Sequence, residues 1–398
     1  MSKQSPASSW LVGLLILLSL GLPLASVHAK KAHLVTYGSG GEVWEWFGHN
    51  AIWLQDPEQG LDHTFSFGYF DIEASGFYGR FLAGEMRYFG SSVPVEREFR
   101  FYRQLDRSIR VQELNLTDEQ FDRLQFLLTN AIYPYPQYYD YDYYWANCST
   151  WLRDLLNETT DGALSDVLQS NAAKQTFRQH TAAQTKHHPA AHLGLMMLLG
   201  PGADQPIKQW DEAFLPAALA NQVSEIVLPQ GPLVVSDAII YEAKSERVDS
   251  VLVAGPGAFM AWGFLLAGLV LMPMLSRSRA AWVPTGMALL ALSLAGIVII
   301  GMSLFTAHEV VRGNQLLIVL HPLWLGLLPI WPVMWRRLAW GLSALIFGLG
   351  SMVWFSGLWA PQDGRVLWLL VPLVLALFWV NHRVLWSDQS GVRDRADG

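Results

Sequence analysis

The sequence predicts an exported α+β domain followed by an α-helical membrane domain of five spans. Three observations carry this. An apolar leader opens the chain. Residues 30–250 alternate strand-period and helix-period patterns. From Val251 onward, apolar runs are long enough to cross a bilayer. Composition agrees: of 398 residues 52% are hydrophobic, only 15% are charged, and 18 are Trp. That is too apolar for an ordinary soluble chain. The net charge of −7 and the absence of a basic stripe exclude nucleic acid as a partner.

The leader has the parts of a secretory signal. Lys3 supplies a positive n-region and Trp10–Leu24 an apolar core. Val27-His28-Ala29 places small residues at the −3 and −1 positions, so cleavage after Ala29 is expected. The alternative is an uncleaved anchor helix, for which the apolar run is short. Either way Lys30 onward lies outside the cytoplasm. The expected division is a signal peptide over 1–29, a periplasmic domain over 30–250, membrane helices over 251–383 and a cytoplasmic tail over 384–398. Cys148 is the only cysteine, so no internal disulfide is possible. A lone thiol in an oxidising compartment is exposed to damage, which points to a use for it.

Within 30–250, His33–Tyr37 reads as a short strand and Gly38–Gly41 as a turn. A second strand starts near His49 and runs through Leu54. His63–Phe70 follows with period-2 alternation, and Glu73–Gly84 is irregular or a short helix. Val93–Arg103 and Ser108–Leu114 read as two further strands. Thr117–Gln120 is a capping box opening a helix whose apolar stripe is Phe121, Leu124, Leu127, Leu128 and Ala131. A Tyr-rich strand then leads into Asn147-Cys148-Ser149 and a helix with Trp151, Leu152, Leu155 and Leu156 on one side and Arg153 on the polar side. Residues 157–230 are helical and polar, and Pro232–Tyr241 adds a strand. His187, His188 and His192 match no zinc pattern, so a solvated loop or helix face is expected there and no metal or cofactor.

The five apolar spans are Val251–Leu275, Ala281–Phe305, Leu316–Met334, Leu338–Leu358 and Val366–Val380. Arg277 and Arg279 follow the first, Arg336 and Arg337 the third, and His382 and Arg383 the fifth. The positive-inside rule puts these in the cytoplasm, with the 30–250 domain and the C-terminus on opposite sides. Trp331, Trp335, Trp340, Trp359, Trp368 and Trp386 sit near span ends, as interface anchors do. His321 within the third span reads as part of a polar patch.

The chemistry centres on Cys148. With Asn147 as N-cap, its thiol lies in the first helical turn, on the positive end of the helix dipole and among unpaired N–H groups. Both effects favour thiolate, and the N–H groups can hold an oxyanion. A buried, inert small side chain is the competing reading. A nucleophile needs a base, and His49, after Gly48 and at a strand start, is the best one. His63 leads as the group that orients His49, with Asn50 and Asp62 behind it. Asn147, Ser149 and Asn50 are the candidates for orienting groups or oxyanion donors.

At these residues the chain resembles a known family. Gly48-His49-Asn50-Ala51 and Tyr141–Thr150 look like the two signature segments of the Lnb-type N-terminal periplasmic domain, and Ser66-Phe67-Gly68 and Leu114–Thr117 are similar as well. The resemblance covers about 33–240. Ala146 departs from it, since the family often has an acid before the Asn. The resemblance implies a permuted papain-like (NlpC/P60-like) fold, with the histidine strand before the cysteine helix. It also implies a lipoprotein intramolecular transacylase, which moves an acyl chain from the diacylglyceryl group to the N-terminal amine of a lipoprotein. The implied partners are membrane lipoproteins or phospholipid acyl donors within the bilayer. Two other classes stay open: a cysteine amidase, endopeptidase or esterase acting at the cell envelope, and a non-catalytic membrane protein that has kept the fold.

Overall fold

A seven-stranded antiparallel sheet organises the N-terminal domain. Its strands are β1 (Lys31–Tyr37), β2 (His49–Asp56), β3 (Leu61–Tyr69), β4 (Arg87–Pro94), β5 (Ile109–Leu114), β6 (Tyr138–Asp140) and β7 (Val234–Tyr241), in the spatial order β6-β4-β3-β2-β1-β5-β7. The computed structural model describes residues 30–245, 255–276 and 278–386. The leader over 1–29, the boundary at 250–251 and most of the tail lie outside the described residues.

Period-2 alternation places the two faces of the sheet against different helices. Leu34, Ile52, Leu54, Phe65 and Phe67 pack on α3 (Asp118–Ile132) and α4 (Cys148–Thr159). Val35, Tyr37 and Ala51 pack on α2 (Val95–Gln104) through Phe99 and Tyr102. The capping box opens α3 as expected: Thr117 accepts from the Gln120 N–H, and the Gln120 side chain accepts from the Thr117 N–H. Such a cap stabilises by about 1 kcal/mol.

Val93–Arg103 is not a strand. β4 ends at Pro94, and α2 begins at Val95. Val95, Phe99 and Tyr102 recur at i, i+4 and i+7 on the buried side, and Glu96 and Glu98 occupy the first turn, where acids suit the helix dipole. Val95, Phe99 and Phe101, alternating with the charged Glu96, Glu98 and Arg100, mimic a strand period. Arg153 is not on a solvated face either. It is buried, stacks 4.0 Å from the Trp210 ring and donates to the Trp210 carbonyl at 2.7 Å. β7 pairs with β5, so the sheet closes only with residue 241.

A helical region follows, and among the described residues four helices are long and apolar enough to cross a membrane. They are α5 (Pro256–Leu275), α6 (Val283–Phe305), α7 (Val333–Ser356) and α8 (Leu367–Trp386). The expected third span, Leu316–Met334, is not a regular helix. It forms two short 3-10 turns, Gln315–Ile318 and Pro322–Leu327, and Val333 already belongs to α7. Pro322, Pro329 and Pro332 lack the N–H groups that a continuous helix needs. The segment is instead wrapped by α6 and α7. Gly296 and Gly326 leave no room for a side chain: a Cβ on Gly296 would lie 2.6 Å from the Leu320 oxygen, and one on Gly326 2.6 Å from Ala339 Cβ. Leu316, Val319, Leu320, Trp324 and Leu327 are fully buried in consequence. Irregular apolar backbone is tolerated where protein surrounds it.

The two regions share one interface. Asn314 donates to the Met197 and Leu198 carbonyls at 2.7 and 3.0 Å. Gln362 donates to the Leu199 carbonyl at 3.3 Å and accepts from the Gln315 N–H at 2.8 Å. The end of α7 and the start of α8 therefore lie beside the N-terminal domain. At their other ends, Arg337 donates to the Leu385 carbonyl at 2.7 Å. Residues 315–332 thus run from the domain-proximal end of the bundle to its distal end.

Candidate active site

Cys148 begins α4, and the cap is built from Asn147. The Asn147 amide oxygen accepts from the Ser149 and Thr150 N–H groups at 2.9 and 3.0 Å, and its amide donates to the Tyr143 and Phe214 carbonyls, each at 2.9 Å. Every polar atom of the side chain is engaged, so Asn147 positions the helix and has nothing left to offer a substrate. The expected pool of unpaired N–H groups is correspondingly smaller. Those of Ser149 and Thr150 are taken by the cap, and Trp151 donates to the Asn147 carbonyl. The Cys148 N–H remains.

The helix start docks on a gap in the sheet. β2 and β3 pair from Asp56–Leu61 back to Ile52–Phe65, and the ladder goes no further. Continuing that register would set His49 opposite Gly68. Instead β3 has an irregularity between Phe67 and Tyr69, with Gly68 at φ +100°. Gly68 has no Cβ, and one placed there would be 3.7 Å from Cys148 Cβ. The Asn50 N–H and Ser149 lie close enough to the thiol to ease its ionisation. Asn50 is fully buried; its amide oxygen accepts from the Ser149 hydroxyl at 2.6 Å, and its nitrogen donates to Thr36 Oγ1 at 2.8 Å. Ser149 and Asn50 thereby pin the cysteine helix to β2. Leaving either partner buried and unsatisfied costs about 1–3 kcal/mol.

His49 immediately precedes Asn50, and Gly48 before it has φ +87°. A Cβ at Gly48 would come 2.8 Å from the Tyr37 oxygen, so only glycine lets the chain enter β2 here. The imidazole is stacked against Tyr37 and Tyr102, with ring centroids 6.1 and 6.3 Å apart. Among the described residues it makes no side-chain hydrogen bond. Ring stacking, not a third polar group, therefore orients it.

His63 does not join the site. It pairs with Leu54, five residues along β2 from His49, which is about 17 Å at 3.3 Å per residue. Asp62 lies at the same far end, accepting from the Trp53 indole at 2.8 Å. The histidine pair His188 and His192 is also accounted for structurally. His188 stacks on Trp46 at 4.0 Å, and His192 is bonded to the Thr185 hydroxyl at 2.9 Å.

One group at the site carries no motif in the sequence. Arg107 is buried, donates to the Gly38 carbonyl at 2.7 Å, pairs with Glu45 at 3.1 Å and lies 4.7 Å from the Tyr102 ring. Its charge reaches both His49 and Cys148. Tyr139 and Tyr141, from the Tyr-rich stretch, lie within the field of Cys148 on the other side. That stretch forms only the three-residue strand β6, after which Asp142 and Ala146 bridge a turn into the cap.

Burial decides the protonation states. It pushes the Cys148 thiol up, opposed by the Asn50 and Ser149 hydrogen bonds and by Arg107. It holds the His49 imidazole down to about 3, with Arg107 adding to the effect. The pair therefore rests as neutral thiol and neutral imidazole, not as the thiolate that the helix dipole alone favours. A direct consequence is slow alkylation. Iodoacetamide should modify Cys148 at pH 7 more slowly than a free thiol, with the rate rising along a curve whose midpoint lies above the ordinary thiol value. A midpoint below pH 7 in the folded protein would contradict this.

The family model described as Lnb N-terminal periplasmic domain matches residues 22–183. His49, Asn50, Gly68, Arg107 and Cys148 all fall within that stretch. No curated protein and no solved structure matches the chain. The family match and the four long apolar helices fit an inner-membrane protein with a periplasmic N-terminal domain.

Proposed function

From a chain that carries an Lnb-type periplasmic domain, we propose a membrane-bound thiol acyltransferase that moves an acyl chain from the diacylglyceryl group of a lipoprotein to its N-terminal amine. The observation that supports this reading is the single cysteine at a capped helix start, docked at the β2–β3 opening through the contact of Ser149 with Asn50, the residue after His49. A histidine strand before a cysteine helix is also the order of a permuted papain-like (NlpC/P60-like) fold.

The steps follow from the resting state. Cys148 Sγ attacks an ester carbonyl while neutral His49 takes the thiol proton. The developing oxyanion meets the Cys148 N–H. The leaving glyceryl oxygen takes the proton back from His49, and a thioester remains. The lipoprotein amine then attacks the thioester, His49 again handling the proton, and the thiol is restored. Ester and amine become alcohol and amide, with no other reactant. A bundle that holds both groups at one lipid surface favours transfer over hydrolysis.

The same reading assigns five crossings to the chain. Residues 315–332 cross as protein-wrapped 3-10 turns, so the periplasmic domain and the C-terminus lie on opposite sides. A reporter fused after Gly398 should then be active only in the cytoplasm.

Mass spectrometry of lipoprotein N-termini tests the activity. Expression of this protein in a host lacking such activity should produce N-acyl, S-monoacyl termini. Unchanged termini accompanied by new cell-wall peptide fragments would replace the transacylase by an envelope amidase.

A further inference from the structure

Between β3 and β4 the chain makes an excursion with no core of its own. Its helix, Phe77–Ala83 (α1 of the N-terminal domain, the first helix in chain order), contains no buried residue. Glycines with φ +75° and +78° open and close it, at Gly76 and Gly84. Tyr78 and Leu82 are 68% and 67% exposed. A seven-residue helix is too short to be stable alone in water, and exposing such side chains is unfavourable.

Its attachment point is the top of a membrane helix. The Ala307 N–H donates to the Ala83 carbonyl at 2.8 Å, and His308 Nε2 lies 3.1 Å from the Phe81 carbonyl. A Cβ on Gly84 would sit 3.1 Å from the His308 nitrogen, so the two segments touch backbone to backbone. Residues 307 and 308 directly follow α6, whose last residues Leu304 and Phe305 are 69% and 81% exposed. In a span, only lipid covers such residues. Helix α1 is thus fastened at the level where α6 leaves the hydrocarbon.

Behind it runs a chain of rings. Phe77 stacks on Phe70 at 5.5 Å, Phe70 meets Tyr88 at 5.0 Å, and Tyr88 stacks on Tyr141 at 4.3 Å. Tyr141 lies in the field of Cys148. The wall therefore runs from the bilayer end of the domain to Tyr141, on the segment that leads into the Cys148 cap. A cavity of about 190 Å³ opens beside it, lined by Phe77, Phe81 and Tyr138 on its apolar side and by Asp71, Glu85 and the two arginines Arg80 and Arg87 on its polar side.

We propose that α1 is seated in the outer leaflet with Tyr78 and Leu82 in the hydrocarbon, and that the Phe77–Phe70–Tyr88–Tyr141 wall is the track along which an acyl chain passes from the bilayer to Cys148. The track rests on the acyl-transfer reading, whereas the seating does not. Continuity with the end of α6 is what commits this surface to lipid. Aromatic rings suit the border between hydrocarbon and water, where an ester-linked chain must cross.

Two measurements on the full-length protein test it. In a Cys148→Ala background, Leu82→Cys and Glu119→Cys each carry one fluorophore, in phosphatidylcholine vesicles containing lipid spin-labelled in the acyl chain. Quenching should be several-fold stronger at 82 than at 119, on α3. Equal, weak quenching at both overturns the seating. With Cys148 intact, Leu82→Asp should raise KM for a lipid-linked ester about tenfold and leave thioester formation with a short, water-soluble ester unchanged. An unchanged KM for the lipid-linked ester overturns the track. Absence of acyl transfer in the unsubstituted protein, with strong quenching at 82, would remove the catalytic reading and the track while leaving the seating in place.

Discussion

Replacing Cys148 by alanine is expected to lower acyl transfer by about 10³-fold or more, because no other group here can form the thioester. The fold should survive the change. The side chain is small, the helix start is held by Asn147, and the dock on β2 is made by Ser149 and Asn50, none of which is touched. Thermal unfolding within a few degrees of the parent protein would verify this. Cys148→Ser keeps the shape but offers a poorer nucleophile, so it should accumulate no acyl-enzyme. With Cys148 intact and the amine acceptor withheld, an acyl group should be found on the tryptic peptide that contains Cys148. Lyso-form lipoproteins at parental level in the Cys148→Ala strain would eliminate the nucleophile.

His49→Ala is expected to cost about 10²- to 10⁴-fold in kcat, the usual contribution of a positioned base. His63→Ala should stay near the parent value, since the β2–β3 register carries that ring to the far end of the strands. The pH profile distinguishes a catalytic His49 from a merely structural one. An ordinary histidine would give an acid limb near 6.5. Burial and Arg107 hold His49 down to about 3, so it stays neutral, and able to accept a proton, throughout the range above that. Lowering the pH from 7 to 5 should therefore leave kcat unaffected by this group, with loss only as pH falls toward 3. A limb between 6 and 7 that vanishes in His49→Ala would contradict the buried neutral base. Equal activity of the two single variants would remove His49 from the mechanism.

Much of the site was legible because it is local. The helix from Cys148 follows from apolar residues three and four apart and from an Asn that caps the residues beside it. The capping box of α3 is likewise complete within four residues. Gly48-His49 opens β2 as expected, since the glycine is needed wherever the chain must turn so tightly. Local signals misled where two periods overlapped. α2 carries its helical stripe and an alternation of Val95, Phe99 and Phe101 with Glu96, Glu98 and Arg100 in the same ten residues, and only packing against Tyr37 and Ala51 selects the helix.

What the sequence determined by itself is therefore most of the elements, the capped helix start at Cys148, the strand start at Gly48-His49 and the division into an N-terminal α/β domain and an apolar helical region. What only the tertiary structure decided is which groups meet. Strand register sends His63 away and leaves Gly68 beside Cys148, because a hairpin fixes partners by distance from its turn. Arg107, nearly sixty positions from His49, becomes its neighbour through the β1–β5 pairing. The protonation state followed from burial, a property of the assembled protein that reversed the expectation drawn from the helix dipole. In the bundle, hydropathy identified the segment 316–334 as apolar, but its shape depended on Gly296 in α6 and on its own Gly326 and prolines. Apolar composition measures the cost of leaving water. It does not say whether the backbone is satisfied by its own helix or by the protein wrapped around it.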